Sequence, residues 1–248
     1  MTSDRFYIQK KQIKFPHAFL TGREHHHLSR VVRKKQGDKV HLFTENGENF
    51  TARIDKIEKA KTLLILLNKN QKKEPEVKIV LAPSLVKAKA LELILQKSTE
   101  LGMSCFAPVL TERSVVKISE KTEKKVNRWH RIAIEASKQC RRPSPPKIRK
   151  PLHLREFLKK NDADLKIFLD EKGGEYLKNF VMALDKDKEY KPTQSIILLL
   201  GPEGGWTYKE KQVITQYGYQ AVSLGSNILR TETAAIACTF FISHFWNT

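Results

Sequence analysis

Cysteine is scarce in this chain. Cys105, Cys140 and Cys238 are the only three; odd in number and without the paired spacing of a zinc site or a disulfide framework, they read as reduced, mostly buried small residues. Long hydrophobic runs are missing as well. The longest apolar stretches have the length of strands, short of the ~20 residues that cross a bilayer, so no membrane segment is expected. The opening Met1-Thr2-Ser3-Asp4-Arg5-Phe6 has no apolar stretch behind a basic one, which speaks against a secretory signal and for a cytoplasmic protein. Neither a Gly-Lys-Ser/Thr Walker ending nor a Gly-x-Gly-x-x-Gly fingerprint occurs, so nucleotide hydrolysis and nicotinamide chemistry lose support.

The other shortage is of acid. Asp plus Glu number 27 against 46 Lys plus Arg in 248 residues, a formal net charge of +19. A modest excess would only keep a surface solvated. One this large points to a polyanionic partner, with nucleic acid ahead of a membrane surface.

Up to about residue 70 the pattern is strand-like: Val40 to Phe43, Phe50 to Ile57 and Leu63 to Leu67. Asn46-Gly47 between the first two predicts a type I′ hairpin, because both residues tolerate positive φ. Glu24 to Lys35 reads as a short helix carrying Arg30, Arg33, Lys34 and Lys35, stopped at Gly37-Asp38. Together these make a small, basic, mostly β domain. Lys69-Asn70-Gln71-Lys72-Lys73-Glu74-Pro75 has no apolar residue and ends in proline, so it reads as a linker dividing residues 1–72 from 73–248.

The periodicity then changes. Val77 to Ala82 is a buried-strand run, Leu85 to Leu101 is helical with Leu91, Ile94, Leu95 and Ser98 on one face, and Cys105 to Leu110 returns as a strand. Ser119 is placed to cap a long amphipathic helix reaching Cys140, with Glu120 and Glu123 in its first turn and Val126, Trp129, Ala133 and Ala136 in its apolar stripe. Leu165 to Leu169 and Ile196 to Leu200 are strands flanking a helix from Glu175 to Leu184. Thr207 and Glu210 form a capping box opening a helix that Gly218 closes, and Ala221 to Leu224 is a last strand before a C-terminal helix. Strands alternating with helices imply an α/β fold with a mainly parallel sheet.

Open α/β sheets bind ligands beyond the carboxyl ends of their strands, so the loops directly after strands are the candidate sites. Three qualify: Asp170-Glu171-Lys172-Gly173-Gly174, Gly201 to Gly205, and Gly225 to Thr233. In the middle loop three glycines leave the backbone bare for a flat ligand while Pro202 stiffens the turn. A tight strand-to-helix turn would explain one or two of those glycines but leaves Glu203 between them without a role.

Leu200-Gly201-Pro202-Glu203-Gly204-Gly205-Trp206, followed by Ser223-Leu224-Gly225-Ser226-Asn227-Ile228-Leu229-Arg230-Thr231-Glu232-Thr233-Ala234, resembles the bacterial SPOUT-class methyltransferases acting on uridine N3 of small-subunit ribosomal RNA. Lys97-Ser98-Thr99-Glu100-Leu101-Gly102, Thr111-Glu112-Arg113-Ser114, Glu135-Ala136 with Gln139 and Arg141, and an N-terminal stretch from Arg5-Phe6 through His27-Leu28 to Arg33 extend the similarity over essentially the whole chain. The resemblance implies a small N-terminal PUA-like β-barrel for RNA and a C-terminal SPOUT-type parallel sheet whose cofactor loops are folded together by a trefoil knot. It also implies a homodimer, S-adenosylmethionine as cofactor, and ribosomal RNA or the small ribosomal subunit as partner. Two departures stand out: Trp206 where the family usually has phenylalanine, and Cys140 where serine is expected.

On this reading the cofactor contacts are Leu169, Leu200, Gly201, Pro202, Glu203, Gly204, Gly205, Leu224, Gly225, Ile228, Leu229, Arg230, Thr233 and Ala234, acting mainly through backbone groups and apolar surface. Leu200 and Leu224 end buried strands and would be apolar in any case. Methyl transfer from a sulfonium needs no metal, and none is expected; what it needs is help for the acceptor nitrogen as it loses its proton. Arg230 is the first catalytic candidate, as a fixed cation near the base carbonyls. Its alternative is a salt bridge to Glu232 that merely fixes the loop. Glu232 and Glu100 are candidate bases, with a structural role placed first for Glu100. Arg5, Arg30, Arg33, Lys87, Arg113, Gln139, Arg141 and Arg142 are the candidate RNA contacts. His25-His26-His27 reads as a solvated or RNA-facing loop, since sequence neighbours diverge in direction.

Overall fold

A computed structural model describes residues 4–70, 75–114, 116, 122–186 and 194–246. The chain forms two compact units, one of residues 1–74 with 134–145 and one of residues 75–133 with 146–248. Ser119 and Glu120, expected at a helix start, and residues 71–74 of the expected linker lie outside the described residues.

The first unit contains β1 (Arg5–Tyr7), β2 (Ile13–Lys14), β3 (His17–Thr21), α1 (Gly22–His26), β4 (Lys39–Phe43), β5 (Asn49–Ile57) and β6 (Lys61–Asn70). These strands make one six-stranded sheet in the order β1-β4-β5-β6-β3-β2, in which β1 pairs parallel to β4 and the other pairs are antiparallel. Alternate residues face the core, where Ala18, Leu20, Val40, Leu42, Ala52, Ile54, Leu64 and Leu66 pack with Phe6 and Leu28.

Three local features differ from the expectation. A type I′ turn needs positive φ at both central residues, but of Asn46 and Gly47 only Gly47 has it, at 80°. The connection is instead a five-residue loop in which the Thr44 hydroxyl accepts from Asn46 N and Glu48 N at 3.3 and 3.1 Å. The expected helix at 24–35 begins at Gly22, passes into a π-turn over His27–Val31, and is ended by Arg33, whose φ of 58° leaves the helical region before Gly37 is reached. Lys69 and Asn70, read as linker, are the last residues of β6.

The second unit contains β7 (Lys78–Pro83), α2 (Ala88–Glu100), β8 (Cys105–Phe106), β9 (Val109–Leu110), α3 (Thr122–Cys140, whose residues 134–140 belong to the first unit), β10 (Lys147–Ile148), β11 (Leu152–His153), α4 (Leu154–Lys160), β12 (Leu165–Leu169), β13 (Glu175–Tyr176), α5 (Leu177–Lys186), β14 (Ser195–Leu200), α6 (Tyr208–Gln216), β15 (Gln220–Ser223) and α7 (Thr231–Trp246). Seven strands form an all-parallel sheet in the order β10-β8-β7-β14-β12-β15-β13, while β9 and β11 pair separately. The expected single strand at 105–110 is therefore split in two.

A sheet covered on both faces needs apolar residues at successive positions, and β14 supplies them. Ile196, Leu198 and Leu200 enter a core shared with α2, α3, α5 and α7, while Ile197 and Leu199 enter a second core with α4 and α6. The capping box of α6 is present in both directions: Glu210 N donates to Thr207 Oγ1 at 3.2 Å, and Thr207 N to Glu210 Oε2 at 2.9 Å. Among the described residues no helix is long and apolar enough to cross a membrane.

Candidate functional site

The strand order sets the site. β12 lies between β14 and β15, with Phe168 level with Leu199 on one side and Leu169 level with Val222 on the other. The loops that follow these three strands therefore emerge side by side at the carboxyl edge of the sheet, as open parallel sheets require of a ligand site.

Specific contacts hold the loops in place. Trp206 Nε1 donates to Leu169 O at 2.9 Å, tying the second loop to the first. Gly205 N donates to Pro202 O at 2.8 Å with φ of 68° at Gly205, closing a turn that only glycine enters without strain. A Cβ on Gly201 would stand 3.1 Å from the Trp206 ring, so glycine there lets the indole seat against the chain. Thr231 Oγ1 reaches Gly201 O at 3.4 Å, drawing the start of α7 to the second loop. From outside, Arg113 Nη1 donates to Gly204 O at 2.6 Å, and Glu112 N donates to Glu210 Oε1 at 2.9 Å. Glu210 thus caps its own helix with one oxygen and holds the Glu112 backbone with the other.

Between the loops lies an open cleft at the carboxyl edge of the sheet. Of the residues expected there, Leu169, Leu200, Gly201, Pro202, Gly205, Leu224, Gly225, Leu229 and Ala234 line it. Glu203, Gly204, Ile228, Arg230 and Thr233 are not among its lining residues; Glu203 and Ile228 are exposed, and Arg230 stands between Leu229 and Thr231, which are. Asp170, Glu171, Trp206, Val222, Ser223, Asn227 and Thr231 also line the cleft but were not singled out as cofactor contacts. The signal for Asp170, Glu171, Asn227 and Thr231 was present, since they lie in the three strand-end loops, and Trp206 and Ser223 fall in the quoted motifs.

Apolar side chains and bare glycine backbone line the cleft together with the Asp170 and Glu171 carboxylates. Asp170 is buried, its Oδ2 accepting from Lys211 Nζ at 2.5 Å and its Oδ1 from Lys172 N at 3.2 Å. Apolar side chains, bare glycine backbone and the exposed Glu171 carboxylate suit a ligand with a flat ring, hydroxyls and positive charge. Arg230 is exposed and, like Glu232, forms no ion pair among the described residues, so the salt bridge that would merely fix the loop is not made. The Arg230 carbonyl accepts from Ala234 N at 2.9 Å, which starts α7 and sets where the side chain leaves the backbone. The cysteines offer no nucleophile at the cleft: burial raises Cys105 and pushes Cys238 up to about 12.

The residues expected to contact RNA divide. Arg30, Arg33, Gln139 and Arg141 are exposed and Arg142 half-buried in the first unit; Lys87 and Arg113 are exposed in the second, with Arg113 also engaged by Gly204 O. Arg5 is not the surface cation expected. It is only 5% exposed, donates to Asn49 Oδ1 at 2.8 Å and Ser137 O at 3.2 Å, and lies 4.2 Å from the centre of the Phe43 ring. Burial lowers its pKa to about 10, which leaves it charged at neutral pH, but its guanidinium serves packing rather than a surface contact. In the histidine triplet, His25 is buried against Thr62 Oγ1 at 2.8 Å, His26 is exposed and His27 packs on Phe6.

Comparison with known proteins gives concordant results. The model of an RNA methyltransferase domain matches residues 72–243, and that of an RNA methyltransferase PUA domain matches residues 20–67. A ribosomal RNA small subunit methyltransferase E from Bacillus subtilis (strain 168) is 33% identical over 251 residues, covering 97% of this chain and 96% of that protein. The crystal structure of a ribosomal RNA small subunit methyltransferase E from Neisseria gonorrhoeae bound to S-adenosyl methionine superposes with a TM-score of 0.85 at 30% identity, covering 98% of this chain and 97% of that one. A Legionella pneumophila protein solved with the bound cofactor SAM gives a TM-score of 0.87 at 30% identity, covering 99% and 98%. Matched across both of its units, the chain belongs to the RNA methyltransferase family.

Proposed function

We propose that this protein binds S-adenosylmethionine in the cleft at the ends of β12, β14 and β15 and methylates N3 of a uridine in small-subunit ribosomal RNA. The observation that carries the reading is the cleft itself, in which backbone bared at Gly201, Gly205 and Gly225, the apolar side chains of Leu169, Leu200, Leu224 and Leu229 and the Asp170 and Glu171 carboxylates meet in one place. Apolar side chains for a flat ring, bare backbone for its polar edges and the exposed Glu171 carboxylate for a positive charge suit an adenosine joined to a sulfonium. The related proteins from Bacillus subtilis and Neisseria gonorrhoeae, named as ribosomal RNA small subunit methyltransferases, support the acceptor.

Bound in the cleft, the cofactor supplies a methyl group on a positively charged sulfur, ready for in-line displacement. Leu200, Leu224 and Leu229 hold apolar surface, and the backbone of Gly201 to Gly205 reads polar edges. As the N3–CH₃ bond forms and the S–CH₃ bond breaks, the uridine loses its N3 proton. Arg230, free of any carboxylate partner among the described residues, stabilises the negative charge that spreads to the base carbonyls. Glu232, in the first turn of α7, takes the proton or relays it to water. Residues 1–72 supply an RNA-binding PUA-like module and residues 73–248 the methyltransferase domain. A homodimer is part of the proposal, formed where α2 and α7 expose Leu93 and Phe240; sedimentation should give twice the chain mass, and a monomer at working concentration would remove it.

The test is transfer of label from methyl-radiolabelled cofactor to ribosomal RNA from a strain lacking this protein. Label in small-subunit RNA is expected. Label confined to other RNAs would sink the acceptor assignment.

A further inference from the structure

The outward face of the sheet in the first unit has no role in the site described above. Its composition follows from the register. With Ala18, Val40, Ala52, Leu64 and Leu66 turned to the core, the alternating positions point the other way. One row across four strands reads Lys39, Arg53, Ile65 and His17, since Lys39 faces Arg53 across β4 and β5, Arg53 faces Ile65 across β5 and β6, and Ile65 faces His17 across β6 and β3. Beside that row Leu63 faces Phe19, both half-buried, and Leu67 is 41% exposed. At the β2–β3 turn next to His17, Phe15 is 76% exposed and Lys14 stands beside it.

Three physical features distinguish this face from an ordinary solvated one. Like charges directly opposite on neighbouring strands destabilise a sheet, and the Lys39–Arg53 pair is such a case; neither forms an ion pair among the described residues. Asp55 is the only acid in the strands of the sheet, so little opposes the positive field. A phenyl ring left in water serves neither folding nor solubility, and it sits beside further apolar surface. An apolar face alone would suit another protein. Unopposed cations around an exposed aromatic suit a single-stranded nucleic acid, whose phosphates meet the cations while a base stacks on the ring.

We propose that this face, built from Phe15, Lys14, His17, Lys39 and Arg53, is a docking surface for a single-stranded segment of the RNA substrate, separate from the loop residues Arg141 and Arg142. It rests on the reading of the protein as an RNA methyltransferase acting on ribosomal RNA. The ring stacks a base without sequence choice, and the cationic row tracks the backbone leading away from it.

Fluorescence anisotropy of the full chain tests it, with a labelled unstructured RNA oligonucleotide and the same strand annealed to its complement. Phe15→Ala should weaken single-strand binding about tenfold, with a much smaller effect on the duplex, while Phe15→Trp retains wild-type affinity. Arg53→Gln and Lys39→Gln should each flatten the dependence of log affinity on log salt by about 0.7 for the single strand. S-adenosylmethionine binding by calorimetry should be unchanged in all four variants, which also reports that they are folded. Unchanged single-strand affinity in Phe15→Ala, or an equal loss on the duplex, overturns the docking face and leaves the reading of the enzyme standing. A wild-type protein that binds neither RNA overturns both.

Discussion

The indole Nε1 of Trp206 donates to the carbonyl oxygen of Leu169 at 2.9 Å, joining the loop after β14 to the end of β12 from inside the cleft. Both residues line the same cavity, so one hydrogen bond fixes the spacing of two of its walls. The buried indole also packs edge-on against Phe168, with ring centres 6.4 Å apart. Trp206→Phe keeps the ring and loses the bond; it should cost about 1 kcal/mol in urea denaturation and raise the cofactor KM with little change in kcat. Trp206→Ala opens the core beneath the cleft and should cost ~3–5 kcal/mol. Equal stability for the two variants would show that the ring has no packing role.

Asp164 makes a pH prediction. Its Oδ2 accepts from Gln194 N, Ser195 N and Ser195 Oγ at 3.0, 2.9 and 3.0 Å, fastening the start of β14 to the start of β12. The Gln194 backbone bond first, then the Ser195 hydroxyl, hold this carboxyl below its ordinary value of 3.8. A folded-state pKa below the unfolded one means stability that is present above the unfolded pKa and lost as pH falls through the folded one. Asp164→Asn should therefore be less stable than wild type at neutral pH, with the difference shrinking below pH ~4. A constant gap in urea midpoints across that range would contradict the assignment.

Much of the second unit was legible because its information is local. Apolar runs at Ile196 to Leu200 and Leu165 to Leu169, glycines after them, and Thr207 with Glu210 each report on residues a few positions away. What was illegible depended on distant pairing. Arg5 reads as a surface cation from its neighbours in sequence, yet it donates to Asn49 and to Ser137, and residues 134–145 join the first unit although residues 75–133 separate them from it in sequence. The hairpin at Asn46-Gly47 is formed, but not with a type I′ turn: the Thr44 hydroxyl offered the loop backbone another acceptor, which favoured a longer connection. In the cleft, strand ends and bare glycines were visible, but Asp170 and Trp206 owe their places to Lys211 and Leu169, which no spacing rule connects to them.

Arg230 carries the sharpest mutational prediction. Because its side chain is exposed and unpaired among the described residues, Arg230→Ala should fold normally and bind S-adenosylmethionine within about twofold of wild type, while kcat falls on the order of 100-fold. Loss of cofactor affinity in proportion to kcat would move Arg230 from transition-state stabilisation to ground-state binding.

The most direct test of the central claim is nucleoside mass spectrometry of small-subunit ribosomal RNA after incubation with the protein and S-adenosylmethionine, using RNA from a strain lacking it. A new methylated uridine that co-elutes with N3-methyluridine and is absent without cofactor is expected. A methyl group found instead on a ribose hydroxyl or on another base nitrogen would contradict it.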